Sequence, residues 1–185
     1  MSIEKLKWAA IISFTISLVV LLGGGYLAKG QLAPYPGKVL NPEGNVLFLK
    51  SDIIDGQDVY QRYGLMDHGS IWGHGSQRGI EFSAKTLRYL GDSVRNYLAD
   101  QEHGKPYASL DNLQKEIINL RTMRELRTNR YDPVKDILTL TKAQASSLEP
   151  IHRLWEKTFK EGERRYGFLP GTVRLEEERL QISRF

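Results

Sequence analysis

The chain contains no cysteine. That absence removes disulfides, iron–sulfur clusters, thiolate zinc sites and thioether-linked haem, and it leaves the redox compartment open, because a cysteine-free chain suits either side of a membrane. Net charge is also scarce. The 26 basic and 22 acidic side chains leave +4, and from Asp92 to Arg165 the two signs are interspersed, so the basic stripe and stacked aromatics of a nucleic-acid binder are missing. These charges read as solvated helix faces. Gly69, Gly73, Gly75 and Gly79 are neither followed by Lys-Ser/Thr nor preceded by a buried strand, which excludes a phosphate cradle and leaves tight turns and close approach to another surface. Ser70, Ser76, His74 and Asp67 have no nucleophile elbow or ordered triad around them, so hydrolase chemistry is excluded too.

What is present fits a small folded domain with a membrane segment: 185 residues, 41% hydrophobic and 26% charged. Trp8–Leu27, WAAIISFTISLVVLLGGGYL, is uncharged throughout and has the ~20-residue length of a membrane-spanning helix. Lys5 and Lys7 precede it, and Trp8 and Tyr26 stand at its two ends, where amphipathic rings meet headgroups. A cleaved signal peptide is the competing reading, but Leu27-Ala28-Lys29-Gly30 is a poor cleavage site, so a retained anchor is expected. The positive flank then puts residues 1–29 in the role of cytoplasmic stub plus anchor, with everything after Lys29 outside. Gly23–Gly25 suit either close helix packing or a fraying helix end.

Residues 30–47, with Pro34, Pro36, Gly37 and Pro42, read as an extended linker, and Asn45–Leu49 as a short strand or packed segment. A mainly helical domain is expected over 48–171. Its first helix covers Asp52 to Tyr63, capped by Ser51 and Asp52 and closed by Gly64. A second covers Ala84–Asp100, capped by Ser83 with Leu87, Leu90 and Val94 inward; a third runs Leu110–Thr128 with Leu113, Ile117, Leu120 and Leu126 inward. Asn129–Thr141 suits a small hairpin or extended crossover, with turn chemistry at Asp132-Pro133. Thr141 and Gln144 make a capping box for a fourth helix that Pro150 should kink or split. Residues 172–185 begin another helix whose Glu176–Glu178 read as a solvated first turn, and the chain ends as though more should follow.

Between the first two helices lies Tyr60–Phe82, YQRYGLMDHGSIWGHGSQRGIEF. Gly56, Val59 and Tyr60 resemble the Gly-x-x-Val-aromatic helix that opens a c-type cytochrome domain, and the loop follows where Cys-x-x-Cys-His would stand. His68 and His74 invite a metal or haem reading, but two histidines with only Asp67 or Glu81 nearby are an incomplete site, so loop-shaping hydrogen bonds or docking contacts are favoured. Trp72 and Ile71 suit either an anchor on another surface or burial in the domain's own core.

Three separated blocks, FLKSDIIDGQDVYQRYGLMDHGSIWGHGS at Phe48–Ser76, FSAKTLR at Phe82–Arg88 and TNRYDPVKDILTLTKAQ at Thr128–Gln144, follow the anchor in an order that resembles the N-terminal region of quinol-dependent nitric oxide reductases. The resemblance implies a mainly α fold: one N-terminal transmembrane helix plus a periplasmic cytochrome c-like helical domain without covalent haem, packed on a polytopic core. That core would hold haem b, haem b3, non-haem iron and calcium and convert nitric oxide to nitrous oxide, in denitrification or in NO detoxification. This chain would hold no cofactor and no catalytic residue. In related two-subunit enzymes a Gly-Ala-Tyr looks onto a structural calcium; the matching positions here are Gly75, Ser76 and Gln77, so Gly75 and Gln77 are the calcium candidates, with glutamine in place of tyrosine. His68, Trp72, His74 and Gly75 form the expected docking loop. The partners implied are the haem b-containing core and the lipid bilayer of the inner (cytoplasmic) membrane, with no nucleic acid. Two other readings stay open: an independent membrane-anchored periplasmic binding or assembly module, and a small haem or metal protein using His68, His74 or His152.

Overall fold

The computed structural model describes residues 2–29, 34–76 and 79–185. It falls into two units, residues 1–35 and residues 36–185, and is mainly α, with six α-helices and two small sheets among the described residues.

In the first unit a single helix, α1 (Ile3–Lys29), runs unbroken through Gly23–Gly25 and buries none of its residues. Its uncharged stretch, Trp8–Leu27, is about 30 Å long, the length and composition of a helix that can cross a bilayer. Thr15 returns its hydroxyl to the Ile11 carbonyl at 2.8 Å, so that polar group is satisfied within the helix.

The second unit begins with β1 (Lys38–Leu40) and β2 (Val46–Leu49), an antiparallel pair in the register Lys38↔Leu49 and Val39↔Phe48. The segment expected as a linker thus contributes a strand. Val39 is the reason: it is buried, and β1 also pairs in parallel with β7 (Ile137–Thr139), which turns back on β6 (Tyr131–Asp132), giving the order β2-β1-β7-β6. The expected hairpin at 129–141 is therefore present and is tied to the start of the unit. Asp132 shapes its turn by accepting from the Val134 and Lys135 amides.

Helix α2 (Lys50–Arg62) starts two residues earlier than expected because Asp52 reaches back to accept from the Leu49 amide at 2.7 Å. It buries Ile53, Gly56, Val59 and Tyr60 against α6 (Glu176–Arg184). At the crossing a Cβ on residue 56 would stand 2.3 Å from the Gln181 carbonyl, so only glycine permits this approach. Residues 172–185, expected to begin another helix, pack into the unit, with Ile182 buried and Phe185 packed on Tyr60. Glu178 is correspondingly not solvated: it is buried and accepts from Arg62 Nη1 at 2.9 Å and from the Tyr63 hydroxyl at 2.5 Å.

Helix α3 (Phe82–His103) packs on α5 (Lys142–Glu161) and on α4 (Asn112–Arg127). The Glu81 carboxylate caps α3 by accepting from the Ala84 amide, in place of the expected Ser83. Leu90 packs on the core and Val94 is buried, whereas Leu87 is exposed. In α4 the buried line is Ile118 and Thr122, with Leu126 beside Gly91, whereas Leu113, Ile117 and Leu120 face outward. Both lines have helical periodicity, and the α3 residues Leu98 and Ala99 select the one that is buried. Thr141 and Gln144 form the expected capping box of α5, which runs through the exposed Pro150 without a break. Ile151, Trp155 and Phe159 hold its second half to the core. That core closes on Phe82, whose ring meets Tyr60, Trp155, Phe159 and Phe168 with centroids 5.5–6.5 Å apart.

Candidate functional site: an exposed hairpin in the glycine-rich loop

Gly64, in the left-handed conformation, ends α2 and hands the chain to a short 3-10 turn, Leu65–Asp67, pinned by the fully buried Leu65. Three very short strands follow: β3 (Gly69–Ile71), β4 (His74–Gly75) and β5 (Ile80–Glu81). β3 is central, antiparallel to β4 (Ile71↔His74) and parallel to β5 (Gly69↔Ile80). The glycine-rich loop is thus a small sheet. Its spacing admits no side chain at Gly79, where a Cβ would lie 1.4 Å from the His68 carbonyl oxygen.

Trp72 and Gly73 make the two-residue turn between β3 and β4, both at positive φ, 52° and 78°. That is a type I′ geometry, in which Asn-Gly is the ordinary choice and a tryptophan at the first position is strained. The strain is held in place because the Trp72 amide donates to Ser83 Oγ at 3.1 Å, which occupies the serine expected as a cap. The indole gains little from the domain: Trp72 is 77% exposed, while its neighbour Ile71 packs on the core. The indole is therefore not buried in the domain's own core.

The other candidates separate. His68 is half-buried, its ring 5.4 Å from that of Phe168, in a shallow depression shared with Tyr63, Leu169 and Arg174. His74 is exposed on β4, and His152 lies elsewhere, its Nδ1 3.0 Å from Ser183 Oγ. Gly75 sits in β4 opposite Ser70, and Gln77 lies outside the described residues. Among the described residues no group of three His, Asp or Glu side chains is arranged to hold a metal ion. Met66 and Leu169 add exposed apolar surface to the loop and to the segment beside His68.

Titration behaviour around the site follows packing. Tyr60, whose hydroxyl donates to the Gly69 carbonyl at 3.3 Å, has its pKa raised by burial first and by the Glu81 and Asp67 carboxylates after that. Lys85, in the FSAKTLR block, is held with Nζ 4.2 Å from the Tyr166 ring centre and 5.2 Å from that of Trp155. Burial lowers its pKa, against Glu163, which raises it, and with Arg165, which lowers it further. The block therefore clamps the 164–166 turn to α3. Neither this clamp nor the Arg62–Tyr63–Glu178 cluster is signalled by sequence spacing, since each joins segments far apart along the chain.

The family model of the NorB cytochrome c-like domain of nitric oxide reductase matches residues 36–185, which is the whole of the second unit. No curated protein matches the chain.

Proposed function

The chain belongs to the NorB cytochrome c-like domain family of nitric oxide reductase, and from that membership we propose that it is the haem-free, membrane-anchored domain of a quinol-dependent nitric oxide reductase. In this reading α1 anchors the chain in the inner membrane with its N-terminus cytoplasmic, and residues 36–185 cover the outer face of a polytopic core. That core carries haem b, haem b3 and non-haem iron and reduces nitric oxide to nitrous oxide and water. The domain contributes a docking surface and no catalytic group.

Two features support the haem-free role. With no cysteine the thioether attachment is chemically impossible, and Phe82, Trp155, Phe159 and Phe168 fill the interior with mutually packed rings. A domain without that haem offers soluble cytochrome c no route for electrons, so reducing equivalents enter the core from quinol within the bilayer.

The observation that carries docking is Trp72, a large aromatic held at φ 52° and 77% exposed on the hairpin tip. Left-handed backbone costs a non-glycine residue about 1–2 kcal/mol, and folding alone does not repay that for a solvated indole. A partner pocket does, as aromatic anchors dominate interfaces. Replacing Trp72→Gly is therefore expected to stabilise the purified chain by about 1 kcal/mol in urea unfolding while weakening co-purification with the haem b-containing core about thirtyfold or more. Undiminished co-purification would remove the hairpin from the interface. Wild-type chain that is monodisperse in native membranes with no haem b partner would favour an independent anchored module instead.

Gly75 and Gln77 complete the proposal as candidate calcium ligands. A backbone carbonyl and a neutral amide oxygen are acceptable hard donors, but calcium takes about six to eight, so the remaining ligands belong to the core. In the assembled complex Gln77→Ala is expected to lower the calcium retained after dialysis against chelator. Retention at the wild-type level excludes a ligand role for that side chain.

A further inference from the structure

Leu113, Ile117 and Leu120, followed by Arg124 and Arg127, fall at spacings of three and four residues on the side of α4 opposite the buried Ile118 and Thr122. Leu113 is 67%, Ile117 41% and Leu120 63% exposed, so three positions of this line are bare apolar surface and the other two are cationic. Around the cationic half lies a groove lined by Leu98, Arg121, Arg124, Glu125, Thr128 and Arg130. Arg121 is paired with Glu102, and Arg130 with Glu125 at 3.1 Å. Arg124 and Arg127 have no carboxylate partner among the described residues, which leaves two exposed guanidinium groups beside three exposed aliphatic side chains.

We propose that this face of α4 rests on the bilayer surface, with Leu113, Ile117 and Leu120 entering the headgroup boundary and Arg124 and Arg127 contacting lipid phosphates. A planar guanidinium matches phosphate oxygens bidentately, and exposed aliphatic side chains beside exposed arginines can enter the headgroup boundary while the charges meet the lipid phosphates. Three aliphatic side chains would bind vesicles only marginally on their own. The same chain carries α1, however, and a tethered second site meets the membrane at high effective concentration. The inference rests on the reading of α1 as an anchor. It adds a second membrane contact.

The absence of native cysteine makes the test direct. The 185-residue chain carrying Ile117→Cys, Val134→Cys or Phe14→Cys, each with an environment-sensitive fluorophore, is reconstituted into phosphatidylcholine vesicles with or without phosphatidylglycerol and with acyl-brominated lipid as quencher. Val134, 93% exposed in the β6–β7 turn, reports water, and Phe14, in α1, reports the anchor. The Ile117 label is expected to be quenched well above the Val134 label, and more strongly with phosphatidylglycerol. Arg124→Glu with Arg127→Glu should lower that quenching, since each basic residue at an anionic surface contributes about fivefold in partitioning. A quenched Phe14 label with an Ile117 label as open to water as Val134 overturns the α4 contact and leaves the anchor standing. An unquenched Phe14 label overturns the anchor and this inference with it. An Ile117 label shielded from aqueous iodide yet untouched by brominated lipid identifies a second copy as the occupant, which also overturns the proposal.

Discussion

Tyr63 stands at the last turn of α2 with its hydroxyl on the buried Glu178, and that hydrogen bond is the largest cause of its raised pKa, ahead of burial. Deprotonating Tyr63 would set a phenolate against a carboxylate. Because the folded value lies above the unfolded value of 10.0, the stabilisation is complete below that value and is lost as pH rises through the folded one. Tyr60, raised by burial, acts with the same sign, whereas Lys85, lowered by burial, acts with the opposite one. The urea midpoint of the wild-type chain is therefore expected to fall as pH rises above the unfolded tyrosine value of 10.0, and Tyr63→Phe should make that fall shallower. An identical profile in the variant would show that the Tyr63–Glu178 bond does not couple to folding.

Helix α5 poses the corresponding question for an element. Pro150 has no amide to donate, and its ring crowds the preceding turn, a combination that costs about 3 kcal/mol in a helix interior; yet α5 is continuous from Lys142 to Glu161. Its buried face, Ile151, Trp155, Thr158 and Phe159, holds the second half against the core whatever the backbone loses. Pro150→Ala should consequently stabilise the domain by about 1–3 kcal/mol, read as a raised Tm; an unchanged or lowered Tm would mean that the proline-adapted packing is worth as much as the missing bond. The same contrast explains which elements are legible in the sequence. The Thr141–Gln144 box, the Asp132-Pro133 turn and the Gly64 stop are local chemistry, and each appears where its residues put it. The buried line of α4 differs from the expected one because Leu113–Ile117–Leu120 and Ile118–Thr122–Leu126 are both helical lines, and only the arrival of α3 chooses between them. At the candidate site the glycines announce a tight loop, but pairing of β3 with β5 depends on a register that no two- or three-residue strand encodes. The exposure of Trp72 depends on that register and on Ser83.

At the scale of the whole molecule the two units are stabilised by different means. Residues 36–185 have an aromatic interior and two sheets, so their stability is hydrophobic burial that denaturant removes cooperatively. α1 buries none of its residues within the fold and satisfies its backbone internally, which makes an apolar medium its stabilising environment. In mild detergent, urea should therefore produce one cooperative loss of helix from the second unit and leave a residual helical signal attributable to the 27 residues of α1. The tryptophans separate the events: Trp155 is buried in the second unit and should shift to the red through the transition, whereas Trp8 in α1 should keep a blue emission in a variant carrying Trp72→Phe and Trp155→Phe. A single transition that abolishes all helix, with Trp8 shifting alongside Trp155, would mean that α1 depends on the second unit for its structure, and the anchor reading, which needs α1 to be stable in lipid by itself, would fail.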